Sequence, residues 1–217
     1  MRRHRVLYQA ASWLLDYPGP ALQERLPLIQ RALAEQPGPE AALAGRTAEG
    51  LAGRPPGQLQ RQYVETFDLS RKHALYLSYW TDGDTRRRGE VLAGFKRTYR
   101  QSGFLADTRR ELPDYLPMVL EFAALADYAA GRELLRRYRP GVELLRLALE
   151  EAESVYRFVL QAVCASLPGP SPADRQAVMA LAGYGPPAEQ VGLEPYDPRL
   201  LPLHGPGSGD EGRREGG

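Results

Sequence analysis

The chain reads as all-α: one irregular, single-domain helical bundle of about seven to nine helices with a disordered C-terminal tail. Three observations predict this. Apolar residues recur at steps of three and four, as in Leu59, Tyr63 and Phe67, or Leu145, Leu149, Ala152, Tyr156, Val159 and Val163. No segment sustains the period-two alternation of a half-buried strand. The 19 prolines and 22 glycines cut the helical patterns into short pieces, which makes the bundle irregular.

The elements follow in order. Val6, Leu7, Ala10, Leu14 and Leu15 fit one face of a first helix that Pro18-Gly19 stops. Pro20 opens a second helix with Leu22, Leu26, Ile29 and Leu33 on one face; Pro27 within it predicts a kink or break. An alanine-rich helix spans Ala41 to Ala52, weakened by Gly45 and Gly50. The aromatic centre runs from Tyr63 to Phe104. In it, Ala74 to Trp80 should be largely buried, and Thr81-Asp82-Gly83-Asp84 has turn chemistry, with Asp84 as a cap. The next helix carries Arg88, Leu92, Phe95 and Tyr99. It should end in a Schellman motif with Gly103 at C′ and Phe104 packed on Tyr99.

Pro113-Asp114 is expected to open a helix with Asp114 as N-cap and Leu116, Val119, Leu120 and Ala123 as its buried stripe. Gly131 and Pro140-Gly141 are expected to bracket a short basic helix. The longest helix should run unbroken from Val142 to about Leu167. A last short helix should start at Ser171-Pro172, with Ser171 as cap. The helical domain thus covers 1–183. The Gly/Pro-rich tail, 184–217, buries too little to order itself, apart from a possible docking of Leu200, Leu201 and Leu203.

Composition excludes several classes. A net charge of +1 draws the chain neither to nucleic acid nor to an anionic membrane. No apolar run approaches the ~18–20 residues of a membrane span. The basic start reads as the first helix of the mature protein, because Gln9 interrupts its apolar part and no small-residue cleavage site follows. The single Cys164 forbids an internal disulfide and suits a reducing compartment.

Catalytic motifs are missing. His4, His73, His204 and Cys164 form no metal-ligand spacing, and no phosphate loop or nucleophile elbow occurs. Glu65, Asp68, Asp82, Asp84, Asp114 and Glu121 read first as caps and solvated faces. Arg86-Arg87-Arg88 and Arg136-Arg137 read as solvated surface, with a helical nucleic-acid-binding regulator using Arg86 to Arg88 as the alternative. Tyr76, Tyr79 and Trp80 beside the acidic turn suit either a core or a groove that grips another chain.

Two blocks carry a resemblance. YVETFDLSRKHALYLSYWTDGDTRRRG from Tyr63, followed by ELPDYLPMVLEFA from Glu111 to Ala123, is similar to the nitrate reductase delta subunit, or NarJ, family. ASWLLDYP fits the family's opening more loosely, and the tail does not match. The resemblance implies an all-helical fold of the redox-enzyme maturation chaperone type and no enzyme activity. It implies a system-specific cytoplasmic chaperone that binds the immature catalytic (alpha) subunit of respiratory nitrate reductase by its N-terminal segment. Insertion of molybdenum cofactor and complex assembly would follow, with cofactor delivery proteins as further partners. No bound cofactor, nucleic acid or membrane insertion is expected. The expected client-binding set is Tyr63, Phe67, Tyr76, Tyr79, Trp80, Asp82, Asp114, Leu116 and Glu121. Many relatives have histidine after the Pro-Asp pair where this chain has Tyr115, so a proton-linked role does not carry over.

Overall fold

The computed structural model describes residues 2–82, 86–107 and 111–181. The side chains of 2, 3, 81, 82, 86 and 87 lie outside that description. So do the expected turn at Gly83 and Asp84 and the whole tail, with Leu200 to Leu203.

Every regular element among the described residues is helical, and one isolated antiparallel bridge joins Tyr76 to Tyr115. Helix α1 (Arg2–Leu15) buries Leu7, Tyr8, Ala10, Ala11, Leu14 and Leu15 and packs on α7 (Leu116–Glu121). Helix α2 (Pro20–Ala34) runs through Pro27 without the predicted break. Pro27 is on the exposed face, where water can take the carbonyl it leaves unpaired, while Leu26, Ile29 and Leu33 hold the opposite face in the core. Helix α3 (Pro39–Leu51) packs on α10 (Arg157–Ala165). Thr47 Oγ1 ties the two, donating to the Val155 carbonyl at 3.0 Å and accepting from the Val159 amide at 3.1 Å.

Two helices end in π turns. Helix α4 (Pro56–Tyr63) continues as Val64–Asp68, closed by Leu69 N–H to Val64 O at 3.0 Å. Helix α7 continues as Phe122–Ala126, closed by Asp127 N–H to Phe122 O at 3.0 Å. After α5 (Tyr79–Asp82), α6 (Arg86–Gln101) ends as predicted. Gly103 sits at φ +68°, Phe104 N–H reaches Tyr99 O at 2.8 Å, and their ring centroids lie 5.5 Å apart.

Four helix boundaries differ from the sequence reading. Gly131 does not end a helix. It lies inside α8 (Tyr128–Arg137), where a Cβ would stand 2.4 Å from Ala123 Cβ, and Asp127 caps that helix through Ala130 N–H. Gly141 likewise lies inside α9 (Arg139–Glu151), under Leu77 and Trp80. The predicted 142–167 helix is two, α9 and α10, and Ala152 is the exposed C-cap of the first. The break is a Schellman ending with Glu153 at φ 49°, closed by Ser154 N–H to Leu149 O and Glu153 N–H to Glu150 O, each 3.0 Å. Finally, α11 (Arg175–Leu181) is capped by Asp174, whose carboxylate accepts from Ala177 N–H, and not by Ser171. The segment before it is strapped to α9. Arg139 donates to the carbonyls of Pro168, Gly169 and Pro170, and Arg146 to that of Pro172. The fully buried Glu143 sits between the two arginines.

Candidate functional site

The site grows from the end of α4. The π turn places Phe67 beside Tyr63, with ring centroids 4.8 Å apart, and Tyr156 supports both from the α9–α10 link. Tyr17, just past α1, meets Tyr63 edge-on at 5.5 Å. Opposite them runs the piece 74–78, which is extended up to the bridge at Tyr76 and turns at Leu77 and Ser78. It is paired to the entry of α7 by Leu77 N–H to Asp114 O at 3.0 Å and Leu116 N–H to Leu75 O at 2.8 Å. Alternation then buries Leu75 and Leu77 and turns Tyr76 outward.

The result is a cleft of about 630 Å³ walled by Tyr17, Tyr63, Phe67, Tyr76, Tyr79 and Tyr115. A second cleft, of about 600 Å³, lies between the end of α1, the 104–107 segment and α7, and includes Asp16, Phe104, Met118 and Glu121. Tyr17, Glu111 and Tyr115 line both, so the two clefts adjoin at these three side chains, and the pair is called the trough. Its described lining has five carboxylates, Asp16, Asp68, Asp107, Glu111 and Glu121, against two guanidiniums, Arg71 and Arg88. The rim is therefore acidic. Leu105, 94% exposed, stands on it, and Leu69, 76% exposed, follows Asp68 in the chain.

Three of the cleft phenols, Tyr63, Tyr76 and Tyr115, stay neutral. Burial pushes the Tyr63 and Tyr115 hydroxyls well above the usual phenol range; Asp16 adds to both. Burial does the same to Tyr76, reinforced by Glu111, whose Oε2 accepts from the Tyr76 hydroxyl at 2.5 Å. At neutral pH these groups are hydrogen-bond donors with apolar bodies. No group of histidine, cysteine and acidic residues that could hold a metal occurs among the described residues.

The sequence-predicted residues divide by position. Tyr63, Phe67, Tyr76 and Tyr79 converge on the first cleft, and Glu121 on the second. Trp80 packs instead against Gly141 and donates its indole N–H to the Ala74 carbonyl. Leu116 is core. Asp114 is not an N-cap. Tyr115 holds that place, and the Asp114 carboxylate is buried against Ser78. The side chain of Asp82 lies outside the described residues. Sequence reasoning missed Tyr17, Glu111 and Tyr115 as lining residues. Tyr17 carried a signal in the ASWLLDYP block, as an aromatic just before the Pro18 stop. Arg88, the described side chain of the arginine cluster, lines the first cleft, where it and Arg71 match Asp68 and Glu111 in number.

An all-helical body with an aromatic, acid-rimmed trough has the build of a protein that holds a segment of another chain. Residues 20–160 match the family described as nitrate reductase delta subunit, and the chain belongs to that family. It is 38% identical over 165 residues to a Bacillus subtilis strain 168 protein assigned as nitrate reductase molybdenum cofactor assembly chaperone NarJ, covering 75% of this chain and 89% of that one. The Escherichia coli K12 chaperone of that name is 33% identical over 148 residues, 67% of this chain and 62% of that one. The nitrate reductase-like protein NarX of Mycobacterium tuberculosis H37Rv is 45% identical over 159 residues, 73% of this chain. The chain spans only 24% of that longer protein. Among solved structures, a candidate redox enzyme maturation protein from Archaeoglobus fulgidus superposes with a TM-score of 0.55 at 21% identity, over 76% of this chain and 93% of that one. The shared fold is all-helical. No helix among the described residues is long and apolar enough to cross a membrane.

Proposed function

We propose that this chain is an assembly chaperone, not an enzyme. It binds the immature catalytic subunit of a respiratory nitrate reductase in the cytoplasm and holds it competent for molybdenum cofactor insertion. The names of the Bacillus subtilis and Escherichia coli relatives support the chaperone role. The observation that carries the binding mode is the junction of the two clefts at Tyr17, Glu111 and Tyr115. Two adjoining clefts suit a helical or extended segment laid across them, and they offer apolar walls and carboxylates on their rim. A basic amphipathic segment, such as the N-terminus of the catalytic subunit, complements both. Phe67, Tyr76 and Tyr79 would take its apolar side chains, and Glu111 and Glu121 its cations. Proteins that deliver the cofactor would then meet the chaperone–client complex.

The test is co-purification from cells making the nitrate reductase, with the bound chain identified by mass. Calorimetry with a synthetic peptide from the N-terminus of the catalytic subunit follows. Recovery of that subunit, and weaker peptide binding by Tyr76→Ala and Glu111→Gln, are expected. If the subunit co-purifies equally with a variant in which Phe67, Tyr76 and Tyr79 are all alanine, the trough is not its binding site.

A further inference from the structure

We infer that Asp114 is a positioning residue: its buried carboxylate fixes the Tyr76–Tyr115 pair where the two clefts join, without touching what lies in the trough. The inference rests on the proposed client-binding role of the trough and adds the device that sets its shape.

Asp114 has no exposed surface. Its Oδ2 accepts two hydrogen bonds from one residue, the Ser78 amide at 3.0 Å and the Ser78 hydroxyl at 2.6 Å. Its Oδ1, also buried, has no hydrogen-bond partner. No ion pair to this carboxylate occurs among the described residues, and a buried carboxylate without one is costly, so stability alone does not call for an acid here. Its two bonds extend the backbone pairing of 75–77 with 114–116 by one residue. Tyr76 and Tyr115 bridge within that pairing, and their ring centroids stand 5.6 Å apart. Tyr115 lines both clefts and Tyr76 holds Glu111, so the clasp governs the middle of the trough. Full burial keeps the charge itself from a bound chain.

Asparagine separates the geometry from the charge. Its amide oxygen can accept both Ser78 bonds, and its NH₂ takes the place of the bare Oδ1. Asp114→Ala removes the clasp. The experiment compares wild type, Asp114→Asn and Asp114→Ala at a temperature where all three are fully folded by circular dichroism. The probe is a synthetic peptide from the N-terminus of the nitrate reductase catalytic subunit. Asp114→Asn is expected to bind within about twofold of wild type and Asp114→Ala about tenfold or more weakly, as for loss of hydrogen bonds to a charged group. Equal loss in both variants would mean that the charge meets the peptide, and would overturn the inference. Wild-type affinity in Asp114→Ala would reduce the residue to a stabilising role, and would also overturn it.

Amide exchange of Leu77 and Leu116 gives a readout independent of the peptide. It should speed about tenfold in Asp114→Ala and stay at the wild-type rate in Asp114→Asn. If wild type does not bind the peptide, the client reading fails while the clasp is still judged by exchange. Unchanged exchange in Asp114→Ala overturns the clasp itself.

Discussion

The hydroxyls of Tyr63 and Tyr115 lie 3.0 Å apart, and each also reaches the end of the first helix. Tyr63 donates to the Leu15 carbonyl at 3.1 Å, and Tyr115 to Asp16 Oδ1 at 3.3 Å. One small polar cluster thus joins α1, α4 and the entry of α7 beneath the trough. Tyr63→Phe leaves the Leu15 carbonyl without that donor in a buried setting. The expected cost is ~1–3 kcal/mol. For a chain of this size that lowers Tm by several degrees, about 2–4 °C per kcal/mol. Thermal melts of the two proteins check it, and equal midpoints would show that water replaces the hydroxyl.

Gly45 of α3 and Gly131 of α8 should respond to alanine with opposite signs. A Cβ on Gly131 would stand 2.5 Å from Ala123 Cα and 2.9 Å from its nitrogen, and backbone cannot yield as a side chain can. Gly131→Ala should therefore destabilise by ~1–3 kcal/mol through overpacking. Gly45, also in a helix, has nothing within 4 Å of its Cβ position. Gly45→Ala should stabilise by about 0.4–1 kcal/mol, since alanine has less freedom to lose on folding. Denaturant midpoints moving in the same direction for both would contradict this reading of the contact between α8 and the 122–126 turn.

Glu121 makes stability depend on pH. Burial, and then Asp16, hold its carboxyl above the ordinary glutamate range, with Arg25 opposing. The folded chain therefore binds this proton more tightly than the unfolded one. The resulting stability is complete below the unfolded value and is lost as pH rises through the folded value. Glu121→Gln should melt higher than wild type at about pH 7, with the gap closing towards about pH 4, where both side chains are neutral. It should also bind a basic peptide more weakly. A gap that does not change with pH would assign the effect to packing.

Glu153 occupies a left-handed position, φ 49°, that a helix ending usually gives to glycine. The side chain is exposed, so nothing in the core needs it. Glu153→Gly relieves the backbone and adds freedom to the unfolded chain; the first effect is the larger, and a net gain of up to about 1 kcal/mol is expected. Chemical denaturation decides the sign.

These residues also show what could be read from the sequence. The end of α6 was legible because its glycine and its aromatic pair are both local signals. The end of α9 was not, because Glu153 does the work of a glycine and the apolar steps run on through it. Asp114 after Pro113 and before an apolar stripe looks like a helix cap. Its actual partner, Ser78, lies 36 positions away and leaves no local trace. The aromatic half of the trough was visible as density, in Tyr63, Phe67, Tyr76 and Tyr79. The other half depends on Tyr17 and Glu111, which only tertiary packing brings to it. Tyr115 was noticed as a departure from relatives, yet its placement on the junction needed the pairing with Tyr76.

The π turns at 64–68 and 122–126 each hold one residue more than an α-helical turn. Deleting residue 64, 65 or 66 would close an ordinary α-helical turn and bring Phe67 from four positions after Tyr63 to three, which moves its ring round the helix axis. Phe67 would swing away from Tyr63, although no aromatic residue had been lost. At these two places the number of residues matters more than their kind. A family member that keeps every tyrosine but lacks one of positions 64 to 66 would have a different wall here.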